Sequence, residues 1–474
     1  KNIFKKLNIG FNPKLFTYSG LYRYFENSCN LFPINKNLFD KKFKFVKNNP
    51  FYVLNNKISG ESSESKINRT IKLLKKKKIN YIYISAGENI CWLLNIRGND
   101  LPNSPVANCK LILAENKKIY FFSPLNKILN IRNKLNSLKI SFHEEDEFFK
   151  ILNSLNFGNF CIDNQTCSIF DEELIKSKFK INNKIDPIYY FKSIKNKTEI
   201  KNMKKTHVED GIALTKFLYW VKNTKISNNT EKKIELKLEN FRKLNKNYLF
   251  PSFDTIAGSG SNGAIIHYRS NKSSNRKLNT KDLLLLDSGG QYKWGTTDVT
   301  RTICFSDVSK KIKDVFTRVL KGHIAVALSN IKKEKTGHNI DKKARKSLNS
   351  IGLDYRHGTG HGVGFFLNVH EGPQSISKNN HIKLKEGMIL SNEPGFYLEK
   401  RFGIRIENLV FIKKINREIL FENLTLAPID TDLVNFKMLN DLEKNYLFKY
   451  HLEVYSKISP FLNINEKRWL AKLI

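Results

Sequence analysis

Acidic residues are scarce in this 474-residue chain: 44 Asp and Glu stand against 82 Lys and Arg, a formal net charge of +38 at pH 7. Such an imbalance raises nucleic acid or an anionic membrane as a partner. The excess, however, is mostly lysine spread from Lys5 to Lys472, and it rises together with Asn, Ile, Phe and Tyr. That covariation reads as a bias toward AT-rich codons, which adds solvated charge everywhere, whereas a specific nucleic-acid reader concentrates charge on one face. A nucleic-acid partner is therefore not expected. The densest run, residues 73–80 (LLKKKKIN), reads as the exposed end of a helix.

Cysteine is sparse too. The six cysteines include no C-x-x-C pair, and the nearest two, Cys161 and Cys167, lack a metal-finger spacing. Reduced thiols in a cytoplasmic protein are the simplest reading. No run of about 18 apolar residues occurs, so no membrane-spanning helix is expected. The chain begins at Lys1 with neither an initiator methionine nor an apolar signal core, which leaves targeting open. The match to G-x-G-x-x-G at 258–263 (GSGSNG) lacks its context: a dinucleotide fingerprint needs a helix after it, and the following AIIHY reads as a strand.

Apolar residues make up 40% of the chain and aromatics 12%, enough for substantial cores, and the length implies more than one domain. Residues 3–49 hold short apolar patches without a domain's worth of elements. Residues 55–66 (NNKISGESSESK) read as a linker whose polar end caps a helix through 67–78. A strand at 79–87, a short apolar segment at 88–96 and a hairpin over 107–124 follow. From 195 onward the pattern changes. Ile200, Met203, Leu214, Phe217, Leu218 and Val221 recur at helical spacing, with His207 among them as a surface or packing residue rather than a ligand, and 230–244 continues as a second amphipathic helix. Further helices are expected over 313–331 and 339–351. Strands are expected at GAIIHY (263–268), LLLLDSG (283–289), TTDVTRTICF (296–305), MILSNEPGFY (388–397), GIRIENLVFI (403–412) and EILFENLTLAPI (418–429). This is an α+β pattern, rich in antiparallel strands covered by helices.

Four of those strands carry acids. Asp287 closes an apolar run, Asp298 sits in TTDVT, Glu393 in ILSNEPG and Glu407 in IRIEN. An isolated carboxylate on a buried strand costs several kcal/mol, so such a group is neutral, paired or metal-bound. Taken singly, Asp298 can pair with Arg301 and Glu407 with Arg405. As a set, metal binding is the stronger reading. A nitrogen ligand comes from 356–372 (RHGTGHGVGFFLNVHEG), where His357, His361 and His370 recur and His361 is flanked by glycines that let the backbone bend closely around a site. Oxygen-rich coordination with a single imidazole suits Mn, Co or Zn.

With these residues assembled, the blocks PSFDTIAGSGSNGAIIHY, DSGGQYKWGTTDVTRT, GTGHGVGFFLNVHEGP and NEPGFYLEKRFGIRIEN resemble those of the cytosolic Xaa-Pro aminopeptidases (aminopeptidase P), metallopeptidases of the pita-bread fold. Similarity extends weakly through CWLLNIRGND and LTLAPIDTDLV. The resemblance implies a C-terminal pita-bread catalytic domain with its tail (191–474), preceded by a creatinase-like α/β domain (51–190) and the remnant of another (1–50). It implies that Asp298 and Glu407 bridge two divalent metal ions, Mn2+ foremost with Zn2+ or Co2+ as alternatives. Asp287 would chelate one ion, and His361 with Glu393 the other. A hydroxide between the ions would attack the carbonyl preceding proline, with Glu393 shuttling the proton. His267 and His370 match residues that contact substrate and stabilise the tetrahedral intermediate, and His357 lines the proline side. Arg405, placed with them around the substrate, and Tyr397 match supporting positions where an arginine orients a bridging carboxylate. The implied partners are small peptides with proline in second position and a second copy in a homodimer, in the cytoplasm. A Xaa-Pro dipeptidase (prolidase) shares the metal site, and some pita-bread domains are non-catalytic peptide-binding modules. Two departures stand out: Trp294, where relatives often carry a small or acidic residue, and the basic LEKRFG turn (398–403), which could steer acidic peptides.

Overall fold

The structure, a computed structural model, describes residues 7–25, 29–34 and 49–474, which divide into two compact units, Lys1–Lys192 and Ser193–Ile474. The first unit is built on a six-stranded mixed sheet in the order Lys180–Asn183, Asn159–Ile162, Tyr81–Ile84, Lys110–Ala114, Ile119–Phe122, Ile140–His143. The expected hairpin is its Lys110–Ala114 and Ile119–Phe122 pair, and Tyr83, Ile112, Phe122, Phe148, Phe160 and Ile162 form a core on one side. The expected remnant over 1–50 lies partly outside the described residues. Its described part is a parallel strand pair, Asn8–Phe11 with Asn30–Pro33, and the helix Tyr18–Phe25. Backbone bonds from Ile169 to Phe16 and from Phe170 to Pro13 join it to this unit.

Residues 55–66 are not a linker. Asn55 caps a short helix, Asn56–Ser59, that ends on Gly60 at φ 71°, and Ser62 then accepts from the Ser65 N–H to start the helix Ser63–Lys76. Gly and Ser here serve as cap and stop signals, which composition alone does not distinguish from a linker. The lysine run does fall at that helix's end, with Lys75 to Lys78 exposed.

In the second unit every strand pairing among the described residues is antiparallel. A three-stranded sheet (Ile256–Ser259, Leu284–Ser288, Val299–Ile303) and a five-stranded one (Glu371–Ile376, Gly360–Gly362, Ile389–Asn392, Asn408–Ile415, Glu418–Asn423) are accompanied by the hairpin Gly395–Leu398 with Phe402–Arg405. The helices Lys197–Asn223 and Glu231–Lys243 pack against the first sheet through Leu214, Phe217, Val221, Ile234 and Leu238, which meet Leu284, Leu286, Val299 and Ile303. The helices Lys310–Ala327 and Asp441–Ile458 supply Phe316, Val319, Leu320, Tyr450 and Val454 to a second core with Ile404 and Ile406. His207 is buried, its Nδ1 donating to the Met203 carbonyl at 2.8 Å, as a packing residue should.

The expected strand GAIIHY is absent. Gly260–Ala264 forms a 3-10 turn and the chain then bends through His267, with Gly263 folded back so closely on Gly258 that a Cβ on Gly258 would collide with it. No α-helix follows GSGSNG, in keeping with its exclusion as a nucleotide fingerprint.

Arg301 shows how tightly this unit is tied. Its buried guanidinium donates to the carbonyls of Thr300, Glu407, Ala427 and Pro428, to Asn408 Oδ1 and to Tyr450 Oη. Asp298 is not among its partners, so the sequence-level pairing of the two does not form. Arg301→Met should leave these buried acceptors unpaired and lower unfolding stability by at least about 3 kcal/mol. Chemical denaturation followed by circular dichroism measures this; an unshifted midpoint would show that the network contributes nothing.

Candidate metal centre

Two-residue periodicity builds the site. In Leu284–Ser288, Leu284 and Leu286 turn toward the helices, which sends Leu285 and Asp287 to the opposite face. On the neighbouring strand Val299 and Ile303 take the helical side, and Asp298 and Thr300 take the other. Antiparallel register sets Asp287 opposite Thr300. Ile404 and Ile406 join the second core, which leaves Arg405 and Glu407 on the cavity side. The two strands are stitched together: Glu407 N–H donates to the Thr300 carbonyl at 3.1 Å, and Arg405 N–H to Thr302 Oγ1 at 3.0 Å.

Asp287, Asp298, Arg405 and Glu407 line a cavity of about 370 Å³ together with His267, His357, His361, His370 and Glu393. Ligand atoms of Asp298, His361 and Glu407 lie within 4.8 Å of one another. His361 is set by its strand between two close backbone approaches: Gly360 and Gly362 abut the Ser391 carbonyl and Glu371, where a Cβ has no room. Its Nδ1 meets the Gly362 carbonyl at 2.9 Å, which can only accept, so Nδ1 carries the proton. Nε2 then faces Asp298 Oδ2 at 3.3 Å and Glu393 Oε1 at 3.5 Å. A neutral ring would aim its Nε2 lone pair at two carboxylates, which is repulsive unless that nitrogen carries a second proton or a cation lies between them.

The acids report the same tension. Burial, together with the nearby Asp298, pushes Asp287 up to about 6 even though Arg405 opposes it. Burial raises Glu393 to about 7 against the pull of His361 and Arg405. Glu407 is held well above the carboxylate range by burial and by repulsion from Asp298, Glu393 and Asp287. Burial disfavours charge on His361, but Asp298 and Glu393 outweigh it and lift the ring to about 9. Asp287 Oδ1 is buried without a hydrogen-bond partner. An orphaned carboxylate oxygen, an imidazole nitrogen that needs a proton or a cation between it and two carboxylates, and mutually repelling acids are a donor set that fits divalent cations.

Arg405 holds the set in place. Its Nη2 donates to Asp287 Oδ2 at 2.6 Å, its Nε to Thr300 Oγ1 at 3.1 Å, and Thr300 in turn donates to Glu407 Oε2 at 2.7 Å. The direct Arg405–Glu407 pair considered from sequence is replaced by this relay. Its Nη1 donates to Tyr397 Oη at 2.7 Å, and Tyr397 donates to His357 Nε2 at 2.9 Å. His357 Nδ1 donates to the Gly358 carbonyl at 2.8 Å. The His370 ring lies 4.2 Å from that of His361, centroid to centroid, and edge-on.

Sequence reading missed Thr300, although its position two residues after Asp298 on a strand puts both on one face. It also missed Ser391, whose hydroxyl accepts from the His361 N–H at 2.9 Å and donates to Glu393 Oε1 at 3.1 Å. Nothing local marks a serine for that task. Trp294 lies under the Lys205 ammonium, 3.7 Å from the ring centroid, and does not line the cavity. A second acidic cluster, Cys304 with Asp430 and Asp432, already holds a cation: Lys222 Nζ sits 2.9 Å from Asp430 and 2.8 Å from Asp432.

Scaffold and family comparison define the class first: residues 201–414 match the metallopeptidase family M24, residues 44–199 the creatinase/prolidase N-terminal domain, and residues 419–473 the C-terminal region of peptidase M24. The chain is 37% identical over 452 residues to Xaa-Pro aminopeptidase 1 of Dictyostelium discoideum, covering 91% of this chain and 71% of that one. It is 39% identical over 432 residues to aminopeptidase P2 of Arabidopsis thaliana, covering 82% of this chain and 61% of that one, so it spans less than two thirds of the plant protein. The crystal structure of the Caenorhabditis elegans X-prolyl aminopeptidase, described as a cytosolic enzyme with a di-nuclear active site, superposes with a TM-score of 0.90 at 31% identity, covering 99% of this chain and 81% of that one. Prolidase from Pyrococcus furiosus shares the fold, with a TM-score of 0.61 at 24% identity over 75% of this chain and 98% of its own. The chain belongs to metallopeptidase family M24 and, within it, to the Xaa-Pro aminopeptidase group.

The raised carboxyls give a signed expectation. A folded state that keeps protons the unfolded chain releases loses stability as pH rises. Asp287 and Glu393 act from about pH 4 up through their folded values of about 6 and 7, and His361 acts from about 6.5 up through 9. In chelator the thermal midpoint should fall from pH 5 to pH 8, and added Mn2+ should raise it more at pH 8 than at pH 5. A metal-free midpoint that is flat or rises over that interval contradicts the charge assignment.

Proposed function

We propose that this chain is a metal-dependent aminopeptidase that releases the N-terminal residue preceding proline from small peptides, with Asp287, Asp298, His361, Glu393 and Glu407 holding two divalent ions. The observation that carries the reading is the convergence of His361 Nε2, oriented by the Nδ1–Gly362 bond, with Asp298 and Glu393, a nitrogen and two carboxylates that a divalent ion can hold in place of the ring's second proton. Oxygen-rich ligation with one imidazole favours Mn2+, with Zn2+ or Co2+ as alternatives. Bound there, the ions supply Lewis acidity toward the substrate carbonyl and an acidified water.

The protein's own groups do the rest. Glu393, on the cavity wall 3.5 Å from His361 Nε2, is placed to take a proton from the attacking water and deliver it to the departing proline nitrogen. Arg405, with Nε, Nη1 and Nη2 each bonded within the protein to Thr300, Tyr397 and Asp287, orients carboxylates more than it offers donors to a peptide. His357 has both nitrogens engaged and is held neutral, at about 4, chiefly by burial and by Arg405, so it presents an uncharged ring that suits the apolar pyrrolidine of proline. His267 and His370 line the cavity where they can donate to the oxygen that gains charge in the tetrahedral intermediate. The two domain boundaries at about 50 and 190, assembly as a homodimer and a cytoplasmic location belong to the same reading; among the described residues no helix is long and apolar enough to cross a membrane.

Parallel assays of a Xaa-Pro-Yaa tripeptide and a Xaa-Pro dipeptide test it. The first residue should be released from the tripeptide in Mn2+, not from the dipeptide, and release should stop in chelator. Cleavage of the dipeptide alone would make the chain a prolidase, and metal binding without cleavage of either a binding module. His361→Ala should abolish turnover, and Arg405→Gln should lower kcat/KM by about 10- to 100-fold, the usual cost of losing a group that orients a ligand.

A further inference from the structure

Two arginines line the cavity, and they are differently employed. Arg405 is buried, with Nε, Nη1 and Nη2 bonded to Thr300, Tyr397 and Asp287. Arg269 has a side chain 74% exposed, and its Nη1 lies 2.8 Å from Asp254 Oδ2, itself 53% exposed and on the same cavity wall.

The segment carrying Arg269 is firmly anchored. Tyr268 is buried and its hydroxyl donates to Glu231 Oε2 at 2.7 Å. Glu231, fully buried at the start of the helix Glu231–Lys243, also accepts from the backbone N–H of Ser259 at 2.8 Å and of Arg276 at 3.0 Å. Ser270 adds a bond to Glu235 at 2.7 Å. With Tyr268 fixed inward, its neighbours on either side, His267 and Arg269, both line the cavity. An exposed ion pair such as Arg269 with Asp254 contributes little to folding, so stability does not account for holding it beside His267.

Electrostatics does. The carboxylates of the cavity floor, Asp287, Asp298, Glu393 and Glu407, are balanced by the divalent ions they would hold and by Arg405, whose Nε, Nη1 and Nη2 are already committed. Among the described residues, the cation left to meet a substrate carboxylate at this cavity is Arg269, an exposed guanidinium and a bidentate partner of matched geometry. Building on the peptidase reading, we propose that Arg269 determines specificity by binding a carboxylate carried by the residue that follows proline, and that Asp254 is the internal carboxylate it exchanges for that of the substrate.

The test separates binding from turnover. Calorimetry on the full chain uses uncleavable analogues of Ala-Pro-Ala, with the Ala–Pro carbonyl reduced to methylene, as free acid and as C-terminal amide, together with the Ala-Pro-Asp amide. The free acid should bind about fivefold tighter than the amide. Arg269→Gln should bring that ratio to one, Arg269→Lys should keep most of it, and Asp254→Asn should enlarge it. Preference for the Ala-Pro-Asp amide over the Ala-Pro-Ala amide would make a side-chain carboxylate an equivalent source. A ratio of one in the unaltered chain, or a ratio that Arg269→Gln leaves unchanged, overturns the proposal. Hydrolysis of the parent tripeptide runs in parallel. Failure there with a ratio that responds to Arg269 defeats the peptidase reading and leaves the carboxylate site standing.

Discussion

The second unit is organised around one electrostatic liability: acids crowded onto the inner face of two small sheets, where burial and mutual repulsion raise Asp287, Glu393 and Glu407 above their ordinary values. Such a cluster is tolerated only where cations balance it. The protein supplies Arg405, whose guanidinium reaches Asp287 directly and Glu407 through Thr300, and a proton on His361. These cannot neutralise the set. The remaining deficit, visible in the orphaned Asp287 Oδ1 and in the lifted His361, is what metal ions would meet.

Arg301 and Arg405 solve different problems with the same group. Arg301 turns away from the cavity and spends its donors mainly on backbone carbonyls, tying Glu407 to the segment around Ala427 and to Tyr450. Arg405 turns into the cavity and spends its donors on side chains. One fixes where the strand end carrying Glu407 lies, and the other fixes how the carboxylates point.

The alternation that shaped the core was readable from sequence, because Leu284, Leu286, Ile404 and Ile406 define one face and the acids fall between them. The carboxylates and His361 were therefore visible as a set. Thr300 and Ser391 were not, since hydroxyl residues on strands are common and their task depends on which partner lies opposite. The turn after Ser259 was misread as a strand: AIIHY has the right composition, but the meeting of Gly258 with Gly263 and the anchoring of Tyr268 on Glu231 are tertiary facts. Residues 55–66 failed for the opposite reason, being caps whose residue types are also those of linkers.

Everything in the site depends on register. With a period of two, a one-residue slip of Val299–Ile303 would carry Asp298 and Thr300 to the helical side and bring Val299 and Arg301 into the cavity. The hairpin leading into that strand guards against this. Gly290 N–H donates to Thr297 Oγ1 and Thr297 N–H returns a bond to the Gly290 carbonyl, both at 2.9 Å, while Gly289 lies against Thr297 and Ser252 too closely for any Cβ. Only one alignment satisfies those contacts. The glycine pair of DSGGQY thus acts on the centre through backbone packing: by fixing how the hairpin closes, it fixes on which face Asp298 emerges.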